Sequence, residues 1–300
     1  MIPTLLGVVL LVFFLFKYFG GDPAEILGGL NASPEQINSI REQLGLNKPV
    51  WEQLWIFIRQ IVTFDWGKSW ATNESVSSLF SSRLPATLTV MMPILLMEVL
   101  LAIPMAMGVA YVRGSLTDRI VMVITTVAVS ISLLVYVIVG QYVFAFRLGW
   151  FPVQGWTDSF WTNLTVYAPL PVLVVVFVAL SPNTRLYRTF FLDEIGQDYV
   201  RTARAKGLSA ETVYYKHALR NALLPFVTMF GLILPGLIGG SVIIESIFSW
   251  PGMGRLAYEA ILGRDYPVIL TVNFITAVLV LAGTLISDLL YMVVDPRIKL

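Results

Sequence analysis

The side chains able to do chemistry are few, and their types exclude most of it. The chain has no cysteine and a single histidine, His217. Without thiols there is no disulfide and no thiolate nucleophile. One imidazole leaves soft-ligand metal sites and histidine-based triads almost nothing to build on, while an oxygen-ligand metal site stays open. No Gly-rich loop ends in Gly-Lys-Ser or Gly-Lys-Thr to cradle a nucleotide's phosphates. What remains are isolated carboxylates in apolar runs and one crowd of bases. Glu98 sits mid-run, with Glu245 and Asp288 near the ends of two others. Glu98 and Asp288 could nominally pair, but no metal-ligand cluster or nucleophile–base pair supports an intramembrane enzyme. Arg185, Arg188, Arg201, Arg204, Lys206, Lys216 and Arg220 share one polar stretch with Asp193, Glu194, Asp198 and Glu211.

The elements that must position these groups are long apolar helices. Of 300 residues 57% are hydrophobic and 13% charged, against about 25% charged in a soluble domain. A helix needs about 20 apolar residues to cross the bilayer core. Six runs qualify: 2–19, 85–110, 119–146, 163–181, 225–245 and 267–291. The first has no basic stretch before it and no clear cleavage site after it, which marks a retained helix rather than a signal peptide. The expected division is a first transmembrane helix at 1–19, an outer cap segment at 20–84, and a five-helix core at 85–300 that includes a cytoplasmic loop at 182–224. In the cap, Ser33-Pro34-Glu35 opens a helix bearing Ile37, Ile40 and Leu44, and Gly45 stops it. A second amphipathic piece follows Pro49 with Trp51, Leu54, Trp55, Ile58 and Ile61. Trp150, Trp156 and Trp161 suit the interfacial belt.

Basic residues give the orientation. Stretches 111–118 and 182–224 and the tail fall on one side and hold Arg113, the seven bases above, Arg297 and Lys299, with Arg119 at the boundary. The short loops opposite hold only Arg147, Arg255 and Arg264. Bases near span ends stay in the cytoplasm, so both termini and the 182–224 loop are expected inside and 20–84 outside. The net charge of +1 provides no field for a nucleic-acid partner.

Within the spans, a mid-span carboxylate such as Glu98 faces the bundle or a watery path. A pore or gating residue and a glutamate hydrogen-bonded between helices both fit. The fifth run carries Gly231, Pro235, Gly236, Gly239 and Gly240. Small residues let backbones approach and proline loosens a helix. Pro235, Gly236 and Gly239 are candidate pore or gating positions, although static packing leaves the same pattern. Pro93 and Pro104 in the second run allow the same two readings. Glu245 and Asp288 are expected at the interfaces.

The polar stretch predicts two short helices. One, roughly 194–206, ends at Gly207. Ser209 caps the next, with Glu211 in its first turn. A partner in the cytoplasm could grip this unit, and a basic lipid-facing loop fits equally.

This loop resembles the signature of binding-protein-dependent ABC importer permeases: Glu-Ala-Ala, three residues, Gly, nine residues, Ile-x-Leu-Pro. The triplet falls on Arg201, Thr202 and Ala203, the glycine on Gly207, and the last block on His217 to Arg220. Ala203, Gly207 and Leu219 match directly. The departures are like those of the dipeptide, oligopeptide and nickel branch. Its Tyr-Val-Arg-Thr-Ala-Arg-Ala-Lys-Gly-like string stands at 199–207, followed by His-Ala-Leu-Arg-Asn-Ala at 217–222. Gly21 to Ala24, Leu44 to Leu46, Phe64 to Gly67, Pro251 to Gly254, Arg264 to Pro267 and Asp295 to Arg297 also resemble that branch. The few basic residues that open its first span are not among those seen here.

The resemblance implies an all-α transmembrane protein with the six-helix type I ABC importer permease fold, a large extracytoplasmic segment after the first helix, and a place in the prokaryotic inner membrane. It implies a second, homologous permease subunit, two cytoplasmic ATPases that bind ATP and Mg, and an external solute-binding protein. No cofactor is expected on this chain. Arg201, Thr202, Ala203, Arg204, Ala205, Lys206, Gly207 and Leu208 would form the ATPase-coupling loop, with Ala203 and Gly207 small enough for close packing on the ATPase. Pro251, Gly252, Gly254 and Asp265 would belong to the loop that meets the binding protein. Peptide is the expected cargo, with nickel, an oligosaccharide or an opine as alternatives. An ion-driven carrier would need an internal repeat or broken helices around a central charge, for which Glu98 alone is thin support.

Overall fold

The computed structural model describes residues 2–19, 21–29, 32–222 and 224–294, so Arg297, Lys299 and the Asp295 to Arg297 motif lie outside the described residues. Among the described residues helices dominate, and the one strand-like feature is an isolated bridge between Lys68 and Ser75. In chain order the helices are α1 Ile2–Phe19, α2 Pro23–Gly28, α3 Pro34–Gln43, α4 Val50–Thr63, α5 Val76–Tyr111, α6 Leu116–Val129, α7 Leu133–Gly140 and α8 Phe160–Thr162. Then come α9 Pro169–Ile195, α10 Asp198–Ala205, α11 Ala210–Thr212, α12 Leu219–Ala222, α13 Leu224–Gly239, α14 Val242–Ile247, α15 Met253–Leu262 and α16 Tyr266–Val294. Wider π-helical turns follow α7, α8 and α11.

Helices α5, α9 and α16 are long and apolar enough to cross a membrane, and α6 with α7 makes a fourth crossing if the bent pair counts as one. The apolar helices at Leu6–Tyr18 and Ile233–Ile247 are shorter. Several boundaries differ from the sequence expectation. With 36 residues, α5 is roughly 54 Å long, far more than the hydrocarbon needs, and starts at Val76 rather than near 85. The run 119–146 is not one rod but bends by 92° between α6 and α7. Hydroxyls line the corner. Thr126 and Ser130 donate back to the carbonyls of Met122 (2.7 Å) and Thr126 (3.0 Å), which bends helices. Ser132 then caps α7, accepting from the Leu134 N–H at 3.3 Å. Tyr136 braces the turn through its hydroxyl on the Ala128 carbonyl (3.0 Å). The fifth run breaks after Gly239, where Gly240 takes φ 70°, a conformation open to glycine. The span expected to stop at 181 continues as α9 to Ile195, so Arg185 and Arg188 are helical rather than part of a loop.

The chain divides into two compact units. One comprises 1–87, 238–242 and 251–282; the other comprises 88–237, 243–250 and 283–300. In the first, Val76, Leu79 and Phe80 pack with Met253, Leu256 and Val268. Its cap follows local rules. Asp22 caps α2 and pairs with Arg41, Ser33 and Gln36 form a reciprocal capping box, and Gly45 (φ 67°) turns the chain after α3.

In the second unit, Ala102, Ala106 and Met107 of α5 pack against Tyr187 and Phe191 of α9 and against Tyr214. The small alanines let the large rings close over α5. Elsewhere the surface of this unit is apolar. Leu96, Leu100, Val123, Ile124, Ile138 and Val139 are each more than half exposed. A water-soluble surface rarely carries such a tract; lipid or another subunit covers it.

Candidate coupling site

Helix α10 is built from the sequence up. Asp198 sits in its first turn, favourably placed for the helix dipole. Val200 and Ala203, three residues apart, fall on one face and are buried against Val213. The opposite face carries Arg201, Thr202, Arg204, Ala205 and Lys206, all exposed. Gly207 follows at φ 76°, and an added Cβ would meet nothing within 4 Å. Its requirement is therefore conformational rather than steric. Ser209 accepts from the Thr212 N–H at 3.3 Å and so caps the second helical piece as expected. Leu208 and Tyr199 are also exposed, and Tyr199 donates to Glu194 at 2.6 Å. Burial, and then that bond, push its phenol up to about 12, so the donor persists throughout the neutral range. The exposed Asp198–Arg201 pair (3.4 Å) contributes little.

One expectation needs correcting. Ala203 does not offer a small surface for a partner. It is buried on Val213 of its own chain, and its size lets α10 lie close to the next turn.

The seat beneath α10 was not visible in the motif. Tyr214 is buried and donates its hydroxyl to the Met107 carbonyl of α5 at 2.8 Å, with its ring edge-on to Tyr111 at 5.3 Å. Arg188, on the last turns of α9, donates to Asp118 at 2.9 Å with both side chains mostly buried. The same carboxylate oxygen accepts from the Gly114 N–H at 2.9 Å, and Ser115 caps α6 by accepting from the Asp118 N–H. The turn between α5 and α6 is thus tied to α9, and α9 runs on to α10. Among the described residues Asp118 Oδ1, Arg188 Nε and Thr184 Oγ1 are buried without a hydrogen-bond partner, a site where ordered water commonly sits. A spacing of 70 residues hides such a pair from any local pattern.

The other candidates separate. Glu98 is half-buried and accepts from the Asn183 amide of α9, an interhelical hydrogen bond. Of the fifth-run residues, Gly236 is exposed and crowded by nothing, Gly239 likewise has no neighbour within 4 Å, and Pro235 is half-buried inside α13. The tight crossing lies at Gly231, where an added Cβ would come within 2.3 Å of the Gly283 carbonyl oxygen. Glu245 is buried.

Pro251, Gly252, Gly254 and Asp265 do not form an exposed contact loop. Gly252, Gly254 and Asp265 are buried and Pro251 is half-buried. A Cβ at Gly254 would come within 2.8 Å of the Val242 nitrogen, and the Met253 N–H donates to Thr87 at 2.7 Å. Asp265 accepts from Ser69, from the Trp70 N–H at 3.0 Å and from the Ala71 N–H at 3.4 Å, which pins the turn before α5. The exposed neighbours include Tyr258, Ile261, Leu262 and Arg264. Among the described residues no His, Cys, Asp and Glu cluster could hold a metal ion.

Long apolar helices and an exposed basic helix fit a membrane transport subunit. Residues 99–300 match the family described as "Binding-protein-dependent transport system inner membrane component", and residues 1–91 match its N-terminal companion, "Binding-prot-dependent transport system membrane comp, N-term". The chain belongs to this family of permeases. It is 37% identical over 304 residues to the oligopeptide transport system permease protein AppB of Bacillus subtilis, covering 99% of this chain and 96% of that one. It is 36% identical over 299 residues to the glutathione transport system permease protein GsiC of Salmonella typhi, covering 100% and 96%. With the dipeptide transport system permease protein DppB of Alkalihalophilus pseudofirmus it shares 33% over 322 residues, covering 100% and 96%.

Proposed function

We propose that this chain forms half of the translocation path of an ATP-driven peptide importer, with α10 as its docking helix for a cytoplasmic ATPase. The observation that carries the proposal is α10 itself: one face is fixed to its own chain and the other presents Arg201, Arg204 and Lys206 outward. The peptide assignment draws on the names of relatives that align over nearly their full length.

In this scheme α1, α5, the bent α6–α7 pair, α9, the α13–α14 run and α16 make six crossings. Both termini and 182–224 face the cytoplasm, and 20–84 lies outside as a cap. A second, related permease completes the path, two ATPases bind ATP and Mg, and an external binding protein delivers cargo to exposed groups near Tyr258 to Arg264 and on the cap. The ATPases move α10. Through Tyr214 on α5 and Arg188 on the α5–α6 turn, that motion shifts the spans between inward and outward openings. A partner changes this balance only through contacts that differ between the two states. ATP-driven uptake into vesicles holding the full complex tests the scheme. Di- or oligopeptide should accumulate, and nickel or oligosaccharide should not. Uptake that persists without the ATPases would refute it.

A further inference from the structure

The first unit holds a cavity of about 650 Å³, open to the surface, among the end of α1, helices α2 to α4, the 66–70 turn and the start of α16. That size is typical of ligand pockets, about 300–1,000 Å³. Phe13, Phe16, Phe57, Trp70, Tyr266 and Phe274 are among the rings of its apolar wall. Ring contacts hold that wall in shape: Phe13 to Phe57 at 5.7 Å, Phe16 to Tyr266 at 5.3 Å and Trp70 to Tyr266 at 5.2 Å.

The polar lining is lopsided. Lys17, Arg41 and Lys68 line the cavity, and among the described residues Asp22 is its single acid. Asp22 is already paired with Arg41. Burial pushes its carboxyl up, but the Arg41 hydrogen bond, the Ala24 N–H and the nearby charges of Arg41 and Lys17 hold it below its ordinary range, so it stays ionised. Lys17 donates to Gln53 at 2.8 Å, which uses one of three ammonium donors. Gln53 is itself committed to the carbonyls of Leu46 and Lys48. The surplus is positive charge beside an aromatic hollow.

We propose that this cavity binds an anionic membrane phospholipid, with its phosphate near Lys17 and Lys68 and its upper acyl chain against the rings. A peptide is a poorer match, because its ammonium group would need an acid and Asp22 is occupied by Arg41. The proposal rests on α1 and α16 lying in the membrane, and it is independent of the role given to α10.

The test uses the intact complex in nanodiscs of phosphatidylcholine doped with phosphatidylglycerol, read by native mass spectrometry. Phosphatidylglycerol should stay bound to this chain with several-fold preference, and Lys17→Gln with Lys68→Gln should abolish the preference. Equal retention of the two lipids, or an unchanged preference in the double variant, would overturn the proposal. If that variant does not assemble, a photoreactive phosphatidylglycerol on the unaltered protein decides. Crosslinks concentrated in 13–23 and 266–274 support the site, and even labelling along all apolar helices contradicts it. Displacement of the lipid by a short peptide would also contradict it and make the cavity part of the cargo path. ATP-driven uptake measured on the same samples separates failure of this proposal from failure of the permease assignment.

Discussion

At Gly207 the backbone, not the available space, sets the requirement. Its φ of 76° with nothing near its missing Cβ means a side chain costs conformational energy, about 1–2 kcal/mol for alanine. Asparagine tolerates this region and β-branched residues do not. Uptake per ATP hydrolysed should therefore fall in the order Gly, Asn, Ala, Val. A valine variant that couples like the native chain would show that the turn does not matter. Arg188 and Asp118 pose the opposite problem, since each is buried for the sake of the other. Removing one partner of such a pair typically costs about 3–5 kcal/mol, while replacing both with apolar groups is often neutral. Arg188→Met should lower the melting temperature of the purified chain well below that of the Arg188→Met/Asp118→Leu double variant. Equal losses would mean that the pair does not act as a unit.

Among the elements, the crossing of α13 and α16 depends on two glycines. A Cβ on Gly231 would lie 2.3 Å from the Gly283 carbonyl oxygen, and one on Gly283 would lie 2.1 Å from that of Gly231. Both neighbours are backbone, so relief requires the helices to separate. Gly231→Ala and Gly283→Ala should each reduce thermal stability by more than about 1 kcal/mol, a typical overpacking cost. Gly236→Ala, exposed with nothing near, should be neutral or stabilising by about 0.5–1 kcal/mol, since alanine suits a helix interior better. Melting curves of the three variants check this ordering. The result separates a static crossing from the gating role that glycine and proline content alone suggests for Pro235, Gly236 and Gly239.

For the whole molecule, what could be read from the sequence was what local chemistry determines. The apolar runs, the capped α3, the stop at Gly45 and the two-piece loop around Gly207 and Ser209 all follow from caps, glycines and periodicity. The 92° bend between α6 and α7 was hidden because hydrophobic run length does not register a break in the helix. The Arg188–Asp118 tie, the Tyr214 hydroxyl on Met107 and the burial of Asp265 depend on tertiary neighbours distant in sequence, and Ala203 is covered across the Gly207 turn by Val213. Asp265 shows the limit most clearly. In the sequence it reads as a loop acid available to a partner, but in the fold its oxygens accept from Ser69, Trp70 and Ala71.

The free face of α10 is proposed to lie in the cytoplasm beneath an ATPase. Because the chain has no cysteine, one introduced thiol reports cleanly. Lys206→Cys is to be labelled with a membrane-impermeant maleimide in sealed vesicles of known sidedness, with and without the ATPase subunits. Labelling is expected only in inside-out vesicles, with protection once the ATPases bind. Labelling in right-side-out vesicles, or full reactivity with the ATPases bound, would contradict it.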